Sequence, residues 1–152
     1  MAIDVSVYRV SDKEFFSSPP PAPSAEFDAW FEDCRKKTLF YHPLEPTGTF
    51  WQYWYQPALS IGLTLISSVY AEGVMLAGDE LDALSEEADR LERCWADMGL
   101  ENAEPIKCVI CHEDKTSEEC LQPLTEHLRE RLAALRRAIA IAKASDGLVS
   151  IG

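Results

Sequence analysis

Residues 79–98 carry the pattern that most constrains the fold, because they predict one long amphipathic helix. Asp79 suits the start of this helix, and Gly99 suits the position just after its end. Apolar side chains recur at steps of three and four, the spacing of a single helix face. They are Leu81, Leu84, Ala88, Leu91, Trp95 and Met98. The helix therefore buries one face against the rest of the protein and presents the other to solvent.

The exposed face of this helix holds most of the chain's negative charge. The sequence has a net charge of −12, and residues 72–104 contribute −9 of it, from 11 acids and 2 bases. The spacing predicts ion pairs of Glu86 with Arg90 and of Asp89 with Arg93. The acids without such a partner in the helix are Asp82, Glu87, Glu92 and Asp97. We expect this surface to repel nucleic acid and anionic lipid and to attract basic proteins.

A second amphipathic helix is predicted over residues 122–144, with Pro123 in its first turn. Its apolar stripe consists of Leu124, Leu128, Leu132, Leu135, Ile139 and Ala142. Two such stripes are buried together most simply in an antiparallel helical hairpin of residues 79–98 and 122–144. We expect this hairpin to pack on helices from the N-terminal half.

Short strands are predicted at the two ends of the chain. Apolar and polar residues alternate over residues 3–8, and residues 148–151 are short and β-branched, so the two segments suit pairing in one sheet. The predicted fold class is therefore mostly α with a small terminal β-sheet (α+β). A chain of 152 residues is long enough to bury a core without a disulfide or a metal, so residues 1–152 are expected to form a single globular domain.

The segment before the acidic helix contains a connector and two further predicted helices. The Pro-rich run at residues 17–23 predicts a stiff connector, because each proline fixes its own backbone and restricts the residue before it. Ser24 then suits a helix cap. An apolar face follows at Phe27, Trp30, Phe31 and Cys34, and Pro43 and Pro46 are expected to end this element. Residues 57–72 fit both a strand and a helix, and helix is favoured because Pro57 and Gly73 suit its ends.

Five aromatic residues within residues 50–55 form the second unusual feature of the sequence. If this segment is extended, alternate side chains face opposite ways, so one set lies at a surface. Tryptophan and tyrosine are favoured in interfaces because they bury large areas at low entropic cost. Burial of both sets between helices is the alternative. The candidate partner-binding residues are Trp51, Tyr53, Trp54, Tyr55, Asp82, Glu87 and Glu92.

The cysteine-rich loop presents the sequence Cys108-Val109-Ile110-Cys111-His112. This spacing is that of c-type haem attachment, which requires an oxidising compartment. The N-terminus lacks the basic and apolar regions of a signal peptide, and an odd number of cysteines fits a reducing cytoplasm better. A zinc site built from Cys108, Cys111 and Cys120 is the alternative, with His112, His127 or Cys94 as the fourth ligand, although such sites usually have their ligands in two closely spaced pairs. We therefore expect no metal and no cofactor.

Two further classes of function are compared with the sequence: enzymes with well-known motifs and proteins that span a membrane. The motifs of serine hydrolases, P-loop proteins, zinc peptidases and dinucleotide-binding enzymes are absent from it. Residues 46–71 carry no charged side chain and are long enough to span a bilayer, which takes about 20 apolar residues. Proline, glycine, glutamine and serine interrupt the run, so a buried core helix is favoured over a membrane span.

These observations predict a cytoplasmic, non-enzymatic protein that binds another, basic protein. The composition resembles that of inhibitors of basic nucleases and toxins, including bacterial immunity proteins, and the resemblance rests on composition alone. Two alternatives stay open: an enzyme whose site is assembled from distant residues, and a small zinc-binding protein. A cleft containing a histidine and converging carboxylates would favour the enzyme. A homodimer is also compatible with the sequence.

Overall fold

The protein is described by a computed structural model, which covers residues 2–111, 113–114 and 116–152 and gives residues 108–111 by their backbone alone. Within these residues the strands are β1 (Ala2–Arg9), β2 (Thr38–Pro46), β3 (Val74–Ala77), β4 (Ile106–Cys111), β5 (Ser117–Gln122) and β6 (Gly147–Ile151). The α-helices are α1 (Lys13–Ser17), α2 (Ala25–Lys37), α3 (Thr47–Phe50), α4 (Gln56–Ser60), α5 (Thr64–Glu72), α6 (Asp79–Asp97) and α7 (Leu124–Ser145). A stretch of π-helix, Trp51–Tyr55, joins α3 to α4.

A four-stranded antiparallel sheet in the order β2-β1-β6-β3 forms the centre of the fold. Because side chains alternate along β1, those of Ile3, Val5 and Val7 point into the main core. The terminal strands pair as their patterns predict, with Val7 opposite Val149. β4 and β5 form a separate two-stranded hairpin.

The predicted fold class, mostly α with a sheet made only from the two termini, is wrong. β2 and β3 add a strand to each side of the terminal pair, and β4 and β5 form a second sheet. Residues 79–98 and 122–144 are also not a simple helical hairpin, because α7 packs on β1, β2 and β6 as well as on α6. The described part of the chain therefore combines many helices with a four-stranded sheet and a two-stranded sheet.

β2 is a strand that the sequence pattern did not predict. Its prolines, Pro43 and Pro46, were expected to end a helix, whereas the helix ends at Lys37 and the strand contains both prolines. Proline is tolerated here because β2 lies at the edge of the sheet, where one side of the strand needs no ladder hydrogen bonds. Two register shifts between β1 and β2 also make this edge irregular.

Helices cover both faces of the sheet, but unequally. On the inner face, α7 contributes fully buried side chains such as Leu132 and Leu135 to the main core. On the outer face, Tyr8 and Leu148 face each other in the register and are buried outside that core. Phe16 of α1 covers Tyr8, with the two ring centroids 4.1 Å apart.

Local sequence signals place several helix ends correctly. Ser24 caps α2 by accepting a hydrogen bond from the amide of Glu26. Gly99 follows α6 in the left-handed conformation, with φ of 66°. Gly73 ends α5 with φ of 73°, and a Cβ there would lie 3.0 Å from the carbonyl oxygen of Ile151, so this turn requires glycine.

The uncharged run is helical, as favoured for residues 57–72, but it is broken into short pieces. α4 and α5 are separated at Gly62, which has φ of 76°. Across the described ranges, the chain contains no helix with both the length and the apolar character that crossing a membrane requires.

Candidate interaction surface

The aromatic segment is helical rather than extended, and this changes which side chains reach the surface. Phe50 and Trp54 point into the core and are almost completely buried. Trp51 is 44% exposed, while Tyr53 and Tyr55 are half-buried. The assumption of an extended segment is therefore wrong, and Trp54 is unsuited to partner contact because it is a core residue.

An exposed apolar surface results, built from side chains that repeat every four residues along this helical stretch. Trp51, Tyr55 and Leu59 follow one another on one side of it, and Leu59 is 55% exposed. Tyr70 of α5 is 41% exposed and stacks on Tyr55, with ring centroids 4.9 Å apart. We call these four residues the aromatic surface. It lies within the run that carries no charged side chain.

The sequence prediction identified half of this surface. Trp51 and Tyr55 were expected at an interface, and Leu59 and Tyr70 were not. The spacing of residues 51, 55 and 59 is visible in the sequence, but it indicates a common face only if the segment is helical. Tyr70 joins them through tertiary packing, which no local spacing predicts.

Buried polar contacts hold the aromatic segment from beneath. The indole N–H of Trp54 donates to Glu45 Oε1 at 3.2 Å. The other carboxylate oxygen of Glu45 lies 2.8 Å from His127 Nε2, and both of these residues are only 2% exposed. The indole N–H of Trp95 donates to the backbone carbonyl of Tyr53 at 2.5 Å. Two indole hydrogen bonds therefore fix the orientation of the segment relative to the sheet and α6.

The Glu45–His127 pair is the nearest approach to the arrangement that would favour an enzyme. It contains one histidine and one carboxylate, joined across 82 positions of sequence. Neither residue lines the surface grooves beside α6, beside α2 or at residues 113–118. His127 Nδ1 is buried and has no hydrogen-bond partner in the described part of the chain. The buried pair connects β2 to α7.

Glu87 is the clearest error among the predicted partner-binding residues. It was expected to be exposed, but it is buried at the contact between α6 and α5. Its carboxylate accepts hydrogen bonds from the backbone amides of Leu65 and Ile66, each at 3.1 Å. These amides are in the first turn of α5, where helix amides lack internal partners and the helix dipole favours a negative charge. Glu87 is therefore a cap supplied by a neighbouring helix.

The other two predicted acids are exposed, as expected, but they pair with cations of α7. Asp82 contacts Lys143 at 2.5 Å, and Glu92 contacts Arg136 at 3.1 Å. Arg136 also contacts Asp89 at 2.8 Å. The early part of α6 thus meets the late part of α7, so the two helices run antiparallel.

The predicted pairs within α6 are not the contacts that form. Arg90 donates to the carbonyl of Ile61 at 2.9 Å rather than to Glu86, and Asp89 pairs with Arg136 rather than with Arg93. Hydrogen bonding from Glu92 is the largest cause that raises the pKa of Arg136. Part of the acidic charge is therefore balanced by α7.

We expect replacement of Arg136 by glutamine to lower the free energy of unfolding by about 1 kcal/mol or less, because the ion pairs are solvent-exposed. The loss should shrink as salt is added, since salt screens exposed charges. Urea denaturation at low and high salt measures it. Arg93→Gln is the matched control, and an equal loss in that variant would contradict the assigned pairs.

A groove beside α6 has an apolar floor, and no histidine is among its lining residues. It measures about 470 Å³, and the side chains of Trp95, Leu100 and Leu128 line it together with Glu92, Glu101 and Arg129. Its titratable side chains are two carboxylates and one guanidinium.

The structure tests the predictions for the cysteine-rich loop only in part. The side chains of Cys108 and Cys111, and the whole of His112, lie outside the described residues. The backbone register sets Cys108 opposite Cys120 in the β4–β5 hairpin, and Cys120 is partly buried. Within the described part of the chain, no group of three or more histidine, cysteine or acidic side chains is arranged to hold a metal ion.

No protein-family model, no curated protein and no solved structure matches this chain.

Proposed function

We propose that this chain is a non-enzymatic protein that binds another protein through the aromatic surface. The observation that carries the proposal is the grouping of Trp51, Leu59 and Tyr70, each more than two-fifths exposed, around Tyr55. Single exposed apolar residues are ordinary on soluble proteins, but contiguous apolar patches mark interaction sites.

The residue types also suit a binding role. Tryptophan and tyrosine contribute a large share of the binding free energy in many protein interfaces. Here the segment is already fixed by the bonds from Trp54 to Glu45 and from Trp95 to Tyr53. A surface that is ordered before binding loses little conformational entropy when the partner arrives.

The charge distribution favours a basic partner. α6 contacts both α4 and α5, so the acidic helix adjoins the aromatic surface. With a net charge of −12, the chain attracts a basic protein over long range and repels nucleic acid and anionic membranes. An inhibitor of a basic enzyme or toxin, acting in the cytoplasm, is the biological role that fits this composition.

The experiment begins with affinity capture from the native host, using the wild-type chain and the Trp51→Ala variant side by side. We expect a basic protein to be retained by the wild type and depleted by the variant. Sedimentation of the purified chain tests whether a second copy occupies the surface instead. A monomer that retains no basic protein under these conditions would refute the proposal.

With the captured partner, we expect Trp51→Ala to raise Kd about tenfold, mainly through faster dissociation, because it removes buried contact area. Surface plasmon resonance gives both rate constants. Phe31→Ala is the matched control, since Phe31 is an exposed aromatic residue on α2. Equal effects of the two substitutions would show that the partner does not use the aromatic surface.

A charge reversal on α6 tests separately whether the acidic charge speeds association with the partner. Glu86 is exposed on α6, so Glu86→Lys should slow association while leaving dissociation nearly unchanged. Raising the salt concentration should have the same effect on the wild type. An association rate that depends neither on salt nor on this substitution would limit the acidic face to a role in solubility.

A further inference from the structure

The outer face of the four-stranded sheet is covered in two unequal parts. α1 places Phe16 directly on Tyr8, which is fully buried. α2 lies over the neighbouring part of the same face, because Ser6 alternates with the core residues of β1 and lines a groove together with Phe31 and Cys34 of α2. This groove measures about 810 Å³, so α2 does not fill the space between itself and the sheet.

α2 is weakly held for a helix of its length. It has 13 residues, all of them described, and none of them is buried. Its apolar face, predicted to pack in the core, is half-buried at Phe27 and Trp30 and 53% exposed at Phe31. In comparison, nine residues of α7 are buried. Burial of apolar area is the main source of docking free energy, so α2 has little of it.

Few contacts connect α2 to the rest of the protein. The ring of Trp30 stacks on Phe15 of α1, with centroids 6.4 Å apart. Lys37 Nζ lies 5.3 Å from the centroid of the Phe15 ring and 3.4 Å from Asp12 Oδ1. These contacts involve the α1 region, and α2 also contacts β2.

The two ends of α2 are held differently. The Pro-rich run at residues 17–23 precedes it, and this part of the chain is not in regular secondary structure from residue 18 onward. At the other end, Lys37 passes directly into β2, and Thr38 donates both its hydroxyl and its amide to the carbonyl of Cys34. α2 therefore leaves α1 and the sheet by local unfolding next to this junction, which keeps β1, β2 and the main core folded.

We infer that α2 is a detachable cover, which opens as a unit from the outer face of the sheet while the remainder of the protein stays folded. Opening frees the α2 side of the groove that Phe31 and Cys34 line, whose opposite side is already accessible at Tyr41, which is 59% exposed. This property is independent of the aromatic surface, which lies on other elements.

Hydrogen exchange followed by mass spectrometry of proteolytic fragments tests the inference on the intact chain. The amides of α2 should exchange through a local opening, at rates that hardly change with low urea concentrations, whereas those of α7 should exchange only through global unfolding. Exchange of α2 and α7 at the same rate, with the same urea dependence, would overturn it.

The Trp30→Ala variant removes the main contact of α2. It should speed exchange in α2 about tenfold and leave α7 unchanged, because it breaks a contact with α1 and none in the core. Alkylation of Cys34, located by mapping the labelled fragments, should accelerate in parallel, since Cys34 lines the groove that opens. Lys36→Ala is the matched control and should change neither rate appreciably, because Lys36 is exposed on α2 and does not line the groove. A Trp30→Ala variant that alters α2 and α7 equally, or that leaves Cys34 alkylation unchanged, would show that α2 does not move independently.

Discussion

Replacing Glu45 by alanine is expected to lower the free energy of unfolding by about 2–5 kcal/mol, because a buried polar group left without its hydrogen-bond partner costs about 1–3 kcal/mol and Glu45 has two such partners. Glu45 and His127 are buried against each other, and Glu45 also accepts the indole N–H of Trp54. The substitution leaves both groups without a partner in a site that water does not reach. Urea denaturation of the two proteins measures the loss.

Two further variants distinguish the pair's hydrogen bonding from its packing. Glu45→Gln retains a carbonyl oxygen that accepts a hydrogen bond, so it should lose less stability than Glu45→Ala. The double variant Glu45→Leu with His127→Leu removes both members of the pair at once and leaves only the indole N–H of Trp54 without its acceptor, so it should lose less stability than Glu45→Ala, which also leaves His127 unpaired. A Glu45→Ala variant within about 1 kcal/mol of the wild type would contradict the importance of this contact.

The Glu45–His127 pair shows why part of the structure could not be predicted from the sequence. α6 and α7 were predictable because their apolar spacing repeats over five turns or more, and neighbouring residues alone establish it. The contact of Glu45 with His127 joins β2 to a helix 82 positions away. Its only local sign is that Glu45 is the last charged residue before the uncharged run.

The errors in the fold have a common physical cause. β2 contains Pro43 and Pro46, residues with low strand preference, and it is a strand because β1 provides a partner along its length. In the aromatic segment, alternation and helical spacing both describe a run of five aromatic residues, and tertiary packing of Phe50 and Trp54 decides for the helix. Where the local pattern is ambiguous, long-range contacts determine the structure.

The candidate site was predictable to the same limited extent. Trp51 belonged to one of the two sets that an extended segment would bring to a surface, and it is exposed although the segment is helical. Glu87 was misassigned because, on a helix with so many acids, the sequence does not distinguish a solvated carboxylate from one that caps a neighbouring helix. Its partners, the amides of Leu65 and Ile66, precede it by more than 20 residues.

Glu87→Ala provides the sharpest test of this reassignment, with an expected loss of about 2–3 kcal/mol in the free energy of unfolding. The estimate follows from the usual value of about 1.5–3 kcal/mol for a hydrogen bond to a charged group, here with a helix N-terminus that would be left uncapped. Glu86→Ala is a closely matched control, because Glu86 is the adjacent acid and is exposed. It should change stability by no more than about 0.5 kcal/mol.

The part of the protein in which Glu87→Ala speeds hydrogen exchange is as informative as the loss in the free energy of unfolding. In Glu87→Ala, hydrogen exchange should increase most in the first turn of α5, where the amides of Leu65 and Ile66 lose their acceptor. Because α5 carries Tyr70, the aromatic surface should lose part of its order, and partner dissociation should become faster rather than association slower. If Glu87→Ala instead retained full stability and only slowed association, Glu87 would be a solvated steering charge, and its assignment as the cap of α5 would be wrong.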